Sequence, residues 1–275
     1  MLSLSKHGGR GRGLIAYALA YLAFLYIPVL LLPLFSLNDS LFIAFPLKGF
    51  TTRWYEALAE DEDMRAALMN TLKVGASASL VSTLLGLLAA KALTKAPLPG
   101  RGLILGFANL SLFIPEIVIG IALLILVTTV GIPLSLFSIA IGHVLICIPF
   151  AVLVLMSRFE GFDANLEEAS RDLGENAWMT FWRVTFPLVL PGIVASLMLT
   201  FIVSFDDFMI AFFLSGTDTT LPVYIFGELR FPYKLPNVLA LGTSILIGSA
   251  ALIAVAEWVR RLGPAGGSAN RPIGV

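Results

Sequence analysis

The sequence predicts an all-α membrane protein whose chain crosses the bilayer six times. Three observations lead to this fold class. First, six stretches are apolar and long enough to span hydrocarbon as helices, which takes about 20 mostly apolar residues. They are Leu14–Leu37, Thr71–Leu93, Leu103–Val130, Pro133–Ser157, Leu188–Leu214 and Val238–Val259. Second, only 13% of the 275 residues are charged and 58% are hydrophobic, with a mean hydropathy of +0.92; soluble domains carry about 25% charged residues. Third, Lys and Arg segregate between alternate loops, the pattern that orients membrane proteins. The net charge is zero, which gives a nucleic-acid partner no electrostatic footing, and the single cysteine, Cys147, allows no intrachain disulfide.

The elements follow in order. Residues 1–13, MLSLSKHGGRGRG, read as a basic, Gly-rich cytoplasmic tail. The apolar run after it exceeds a signal-peptide core and meets no small-residue cleavage site, so a retained first span is expected. Residues 14–262 form one transmembrane domain, and 263–275 a cytoplasmic, disordered tail. All six stretches contain Gly or Pro, which bilayer helices tolerate; kinks are expected at Pro115 in the third and Pro149 in the fourth. The second stretch carries Ala78, Ser82, Gly86 and Ala90 in one row and Gly75, Ser79 and Thr83 in the next. Small residues at this spacing let helix backbones approach closely in lipid.

With the N-terminus inside, the cytoplasmic side holds Lys6, Arg10, Arg12, Lys91, Lys95, Arg101, Arg158, Arg171, Arg183, Arg260, Arg261 and Arg271. The outer side holds only Lys48, Arg53, Arg65, Arg230 and Lys234, with Lys73 near a boundary. Both termini of this multi-pass protein are therefore expected in the cytoplasm. Outer loop 38–67 ends in Glu60-Asp61-Glu62-Asp63, either a solvated helix face or part of a docking surface. Outer loop 215–237 carries Tyr224, Phe226, Phe231 and Tyr233, an expected interfacial belt.

The loop 158–187 is unusual because it is charged and amphipathic where a membrane protein needs only a short turn. Asn165 is expected to cap a short helix starting near Leu166, with Glu167 and Glu168 at its positive end. Gly174 supplies a break or a left-handed turn. A second amphipathic piece follows, anchored by Trp178, Phe181, Trp182 and Val184, and Pro187 and Pro191 mark the start of the fifth span. An interfacial helix lying on lipid would account for the aromatic half but not for the acidic half.

These residues carry a resemblance. Glu168-Ala169-Ser170, three residues, Gly174, nine residues and Val184-Thr185-Phe186-Pro187 resemble the EAA signature of ABC importer permeases, with Ser170, Val184 and Phe186 as conservative departures. The resemblance implies a type I ABC importer permease fold in which 166–175 is a coupling helix seated in a groove of a cytoplasmic ATPase. Glu167, Glu168, Ala169, Ser170, Arg171, Gly174 and Pro187 are the residues it assigns to coupling. The chain has no G-x-x-x-x-G-K-[ST] loop, so it is expected to be non-catalytic and to bind no cofactor, with ATP and Mg held by a separate ATPase.

Ionisable groups inside a span are costly and are functional candidates by default. Asp206 and Asp207 stand about 24 Å along a helix counted from Leu190, in the outer half of the fifth stretch. Neighbours on a helix point about 100° apart, so one could face a pathway while the other pairs elsewhere; structural polar contact is the alternative for both. SFDDFMIAFFLSG, TTLPVYIFGELR and PNVLALGT resemble the second permease of spermidine/putrescine-type importers, and with the EAA stretch the similarity covers nearly the whole chain. It implies a cationic solute meeting Phe205, Asp206 and Asp207. Glu116, after Pro115, is read as a solute contact, a gate or an inter-helix contact. The implied partners are a second permease subunit (homologous but a different chain), two copies of the ATPase, an external solute-binding protein and membrane lipid. An ATP-independent carrier or channel would also suit intramembrane acids, but it needs no 166–187 segment and usually shows matching broken helices, which the sequence lacks. An intramembrane enzyme finds no supporting motif. His143 and Cys147, four apart, are read as packing and polar helix contact rather than a metal site.

Overall fold

A computed structural model describes residues 8–95, 98–161, 163 and 165–262. The 263–275 tail, residues 1–7 and the side chains of Trp258, Arg260 and Arg261 lie outside the described residues. Among these, all regular structure is helical: α1 Gly8–Ser36, α2 Arg53–Glu60, α3 Glu62–Lys95, α4 Arg101–Leu110, α5 Glu116–Val130, α6 Leu136–Glu160, α7 Asn165–Asp172, α8 Ala177–Thr180, α9 Phe186–Asp206, α10 Met209–Leu214, α11 Leu221–Glu228 and α12 Leu235–Leu262. A π-helical segment, Phe181–Thr185, joins α8 to α9 without interruption, and a 3-10 turn, Pro232–Lys234, precedes α12.

Among the described residues, five helical runs are long and apolar enough to cross a membrane: Gly13–Ser36, Glu62–Thr94, Leu136–Glu160, Ala177–Asp206 and Pro232–Ala251. The predicted third span is two shorter helices. α4 ends at Leu110 and α5 begins at Glu116, with Pro115 at its N-cap. Proline has no N–H to donate to the preceding turn, and its ring crowds the carbonyl four residues back. The expected kink is thus a full break. Pro149, by contrast, lies inside an uninterrupted α6.

The chain divides into two compact units. One contains residues 1–61 and 227–275. There α1 packs on α12, and α12 also meets α2. The segment before α2 is tied down by side chains: Trp54 Nε1 donates to the Asn38 carbonyl at 3.0 Å, Asn38 Oδ1 accepts the Lys48 N–H at 3.0 Å, and Ser36 Oγ lies 2.6 Å from the Tyr55 hydroxyl. The apolar side chains of α1 from Leu14 to Ile27 stay exposed, as suits a helix surrounded by lipid.

The other unit, residues 62–226, is built on α3, α6 and α9. Both small-residue rows of α3 are buried, and each serves a different neighbour. A Cβ on Gly86 would sit 2.6 Å from Ala151 Cβ, so α3 and α6 touch backbone to backbone there. The second row meets α9: Gly75 lies under the Phe201 ring, and Thr83 Oγ1 is 3.0 Å from Ser196 Oγ. Ser79 and Ser82 return their hydroxyls to carbonyls of α3 itself, which satisfies them without water. One apolar core joins Val74, Leu123, Ile139, Ile146 and Ile210; a second joins Leu87, Leu93, Leu155, Phe159 and Val189. They sit at opposite halves of α6, and each supports one end of the site.

Candidate functional site

The first end is the polar segment 163–187. α7 forms as the sequence predicts, but its start differs. Asn165 is already helical, and Asp163 Oδ1 accepts its N–H at 3.0 Å while the Asp163 carbonyl accepts from Leu166. Asp163 thus takes the capping role two residues upstream, its carboxylate accepting the first helical N–H. The C-terminus is a Schellman turn. Gly174 has φ of +91°, its N–H donates to the Arg171 carbonyl at 2.9 Å, and the Glu175 N–H reaches back to Ser170 at 3.2 Å. Asn176 then caps α8, its Oδ1 accepting the Met179 N–H at 2.9 Å.

α7 is bound to the start of the long helix on its inner face. Glu167 Oε1 accepts from Thr185 Oγ1 at 2.6 Å, Ser170 Oγ lies 3.1 Å from Thr180 Oγ1, and Glu175 pairs with Arg183. Glu168, Ala169 and Arg171 face outward. Beside them runs a groove of about 370 Å³ lined by Leu166, Ala169, Ser170, Leu173, Glu175, Arg183 and Val184. Leu173 is 87% exposed at its rim, an apolar side chain with no cover from its own unit. Behind the segment, Lys91 Nζ sits 4.7 Å from the Phe181 ring centroid, and Arg158 Nε donates to the Leu188 carbonyl at 3.1 Å. Pro187 falls just after the π segment, as the second residue of α9, and Pro191 lies inside that helix.

The second end lies at the breaks. The run Ala177–Asp206 covers 30 residues, about 45 Å at 1.5 Å per residue, and ends at Asp206. Asp207 is already extended, with ψ of 124°, and α10 starts two residues later. The acidic pair therefore does not share a continuous helix, and the 100° argument fails for it. Asp206 is exposed and Asp207 is buried. Asp207 Oδ2 accepts the N–H groups of Ile210 and Ala211, each at 3.1 Å, and lies 3.0 Å from His143 Nε2. Two free backbone donors at the head of α10 explain why the chain turns at this residue.

Glu116 opens α5 at the other break, exposed and at the helix end that favours a negative charge. It lies in the neighbourhood of Asp206 and Asp207. The three predicted acids thus converge, two exposed and one buried. Phe205 is half-buried. Its helix neighbour Phe201 stacks on it at 5.9 Å. Phe208, Phe212 and Phe226 form a ring cluster with centroids 4.8 to 5.9 Å apart. From the sequence, Phe205 is a solute contact and Phe226 part of an interfacial belt, while Phe208 and Phe212 carry no expectation. The readable signal was F-D-D-F, an acid pair between rings.

Apolar helices of membrane length, charged groups collected at helix breaks and a polar helix braced on one end of the same rod define a membrane transport subunit. The chain belongs to the family of binding-protein-dependent transport system inner membrane components, which matches residues 82–262. It is 32% identical over 88% of its length to the spermidine/putrescine transport system permease protein PotC of Escherichia coli K12, covering 91% of that protein. It is 33% identical over 86% of its length to the putrescine transport system permease protein PotI of the same organism, covering 85% of it. Among solved structures it resembles a bacterial ABC transporter that imports the acidic polysaccharide alginate, at TM-score 0.71 and 19% identity over 96% of this chain and all of the other. A structure of a bacterial alginate ABC transporter with a pentasaccharide-bound periplasmic protein matches at TM-score 0.67 and 17% identity, over 93% of this chain and 95% of that one. The chain is therefore an all-helical, multi-pass membrane protein with the fold of ABC importer permeases.

Proposed function

We propose that this chain is the permease subunit of an ATP-driven importer and forms part of the translocation pathway for a small cationic solute of the polyamine class, such as putrescine or spermidine. One observation carries the reading: exposed carboxylates, Asp206 and Glu116, stand at two helix breaks, with Phe205 and Phe208 flanking the acid pair in sequence, in a chain related to polyamine permeases. An extended polycation is matched by spaced carboxylates and ring faces, each cation gaining about 0.5–2 kcal/mol over a suitable ring.

In this reading the chain makes six crossings, with the two-piece α4–α5 stretch counted as one and both termini in the cytoplasm of a bacterial cell. α7 is the coupling helix. Its outer face, Glu168, Ala169 and Arg171, and the groove edged by Leu173 meet a separate ATPase, which holds ATP and Mg; this chain supplies neither catalysis nor a cofactor site. Glu167, Ser170 and Gly174 act one step behind, holding α7 to the rod that ends at Asp206. A homologous second permease completes the pathway, a second ATPase copy docks on it, and an external binding protein delivers the solute.

The test is reconstitution in proteoliposomes with the partner permease, ATPase and binding protein. Uptake of putrescine or spermidine that needs ATP and stops when the ATPase is withheld is the expected result. Uptake that continues without the ATPase would refute the reading in favour of an ATP-independent carrier.

A further inference from the structure

The two adjacent acids at the end of α9 differ in every physical respect. We infer that Asp207 is a positioning residue, clasped by His143 away from the solute, and that it fixes the break in α9 so that Asp206 alone of the pair meets the solute. The inference rests on the permease reading above.

The Asp207 side chain is 2% exposed and that of His143 1%. Oδ2 of Asp207 accepts two backbone N–H groups of α10 and faces His143 Nε2 at 3.0 Å. An amine could reach that oxygen only by dismantling the start of α10. The imidazole is itself held from its other side, with Nδ1 2.6 Å from Ser204 Oγ. Nε2 stands 3.0 Å from Asp207 Oδ2 as a close buried contact without hydrogen-bond geometry, and Asp207 Oδ1 has no partner among the described residues. One turn further along α6, Cys147 Sγ donates to the Thr200 carbonyl at 3.4 Å. α6 therefore grips the last turns of α9 at Thr200, Ser204 and Asp207.

The short helix beyond the break is gripped by the same helix. Ser138 Oγ donates to the Leu214 carbonyl at 3.0 Å, closing the far end of α10. Between the two grips, a Cβ on Gly142 would fall 2.5 Å from Ile210 Cγ2 and 2.8 Å from Leu214 Cδ1, so only glycine lets α10 lie this close. Ser138 and Gly142, four apart on one face of α6, hold α10, and His143 meets the Asp207 that caps it. Asp206 sits at the edge of this clamp, its direction set by the residue that follows it. Replacing one partner of a buried charged contact leaves the other uncompensated, so the clamp should fail as a unit.

The experiment uses the assembled transporter with its ATPase and binding protein, in which native Cys147 is buried. An Asp206→Cys variant should react with a charged, membrane-impermeant thiol reagent, and putrescine or spermidine should slow the reaction at least threefold. Asp207→Cys should react at least tenfold more slowly. His143→Ala added to Asp206→Cys should change the labelling rate at least threefold, because the reporter's direction is lost. His143→Ala and Asp207→Ala should each lower the melting temperature by about 5 °C or more, and the double variant should melt no lower than the worse single one. Asp207→Asn, which keeps an oxygen for Ile210 and Ala211, should recover most of the loss and serves if the alanine variant does not assemble. Asp207→Cys that labels as fast as Asp206→Cys, is protected by solute and melts normally would overturn the inference, as would strictly additive effects of His143 and Asp207. If neither polyamine is transported or protects, the solute assignment fails, while the melting cycle still decides the clasp.

Discussion

Replacement of Gly174 by valine strikes the one backbone position in the polar segment that an L-side chain disfavours. Its φ of +91° lies in left-handed space, yet a Cβ there would meet nothing within 4 Å. The cost is therefore conformational and not steric. About 1–2 kcal/mol separates left-handed from right-handed geometry for an ordinary residue, and a β-branched side chain falls at the upper end. That energy shifts the local equilibrium about 5- to 30-fold away from the Schellman turn. The turn is what sends Glu175 back toward Arg183 and keeps Ser170 opposite Thr180. The core, remote from Gly174, should be untouched, so membrane insertion and melting should stay near those of the unmodified protein. In proteoliposomes, solute moved per ATP hydrolysed should fall at least fivefold, while ATP turnover persists. Unchanged uptake at unchanged turnover would refute the assignment of α7 as the coupling element, because the variant must deform the only turn that orients it.

Three further outcomes follow from other sites. Gly86→Leu forces apart α3 and α6, where a Cβ already meets Ala151 at 2.6 Å; it should cost at least about 1–3 kcal/mol, read as a drop in melting temperature and in yield of inserted protein. Thr185→Val removes the 2.6 Å hydrogen bond to Glu167 and should cost about 1.5–3 kcal/mol, whereas Arg183→Ala, whose side chain is 62% exposed, should cost under about 1 kcal/mol; equal losses in a melting series would contradict the reading that the buried Thr185 contact outweighs the exposed ion pair in holding α7. Asp206→Asn should abolish most polyamine uptake while leaving the melting temperature level or slightly raised, and a matching loss of both would make Asp206 structural.

What could be read from the sequence was whatever depends on neighbours along the chain. The two small-residue rows of α3 are a matter of helical spacing, and both are buried in the places that spacing predicts. Gly174 announced a left-handed turn because few other residues accept one. The breaks were harder. Leu103–Val130 and Leu188–Leu214 are continuous in hydropathy, and hydropathy counts apolar residues without asking whether one helix or two will carry them. Pro115 was expected to bend a helix and instead starts a new one, and Asp207 was placed on a helix whose end it forms. The absence of matching broken helices was an argument from the same measure, and the structure shows two interrupted stretches. The clasp was out of reach, since His143 and Asp207 meet only after α6 and α9 have packed.

Asp206 carries the remaining argument. It is the last residue of a run of 30, at the end where the helix dipole and the unpaired carbonyls are already negative. A carboxylate there opposes its own helix by about 0.3–1 kcal/mol. Glu116, by comparison, sits at a helix start and is favoured by the same effect. Folding alone gives no reason to keep an exposed aspartate at a helix C-terminus, least of all beside a second acid that already terminates the helix and caps the next. A cation at this position would be attracted both by the carboxylate and by the free carbonyls behind it. The local arrangement is unfavourable by itself and would be relieved by a bound cation, which is the physical reason for proposing Asp206 as a solute contact.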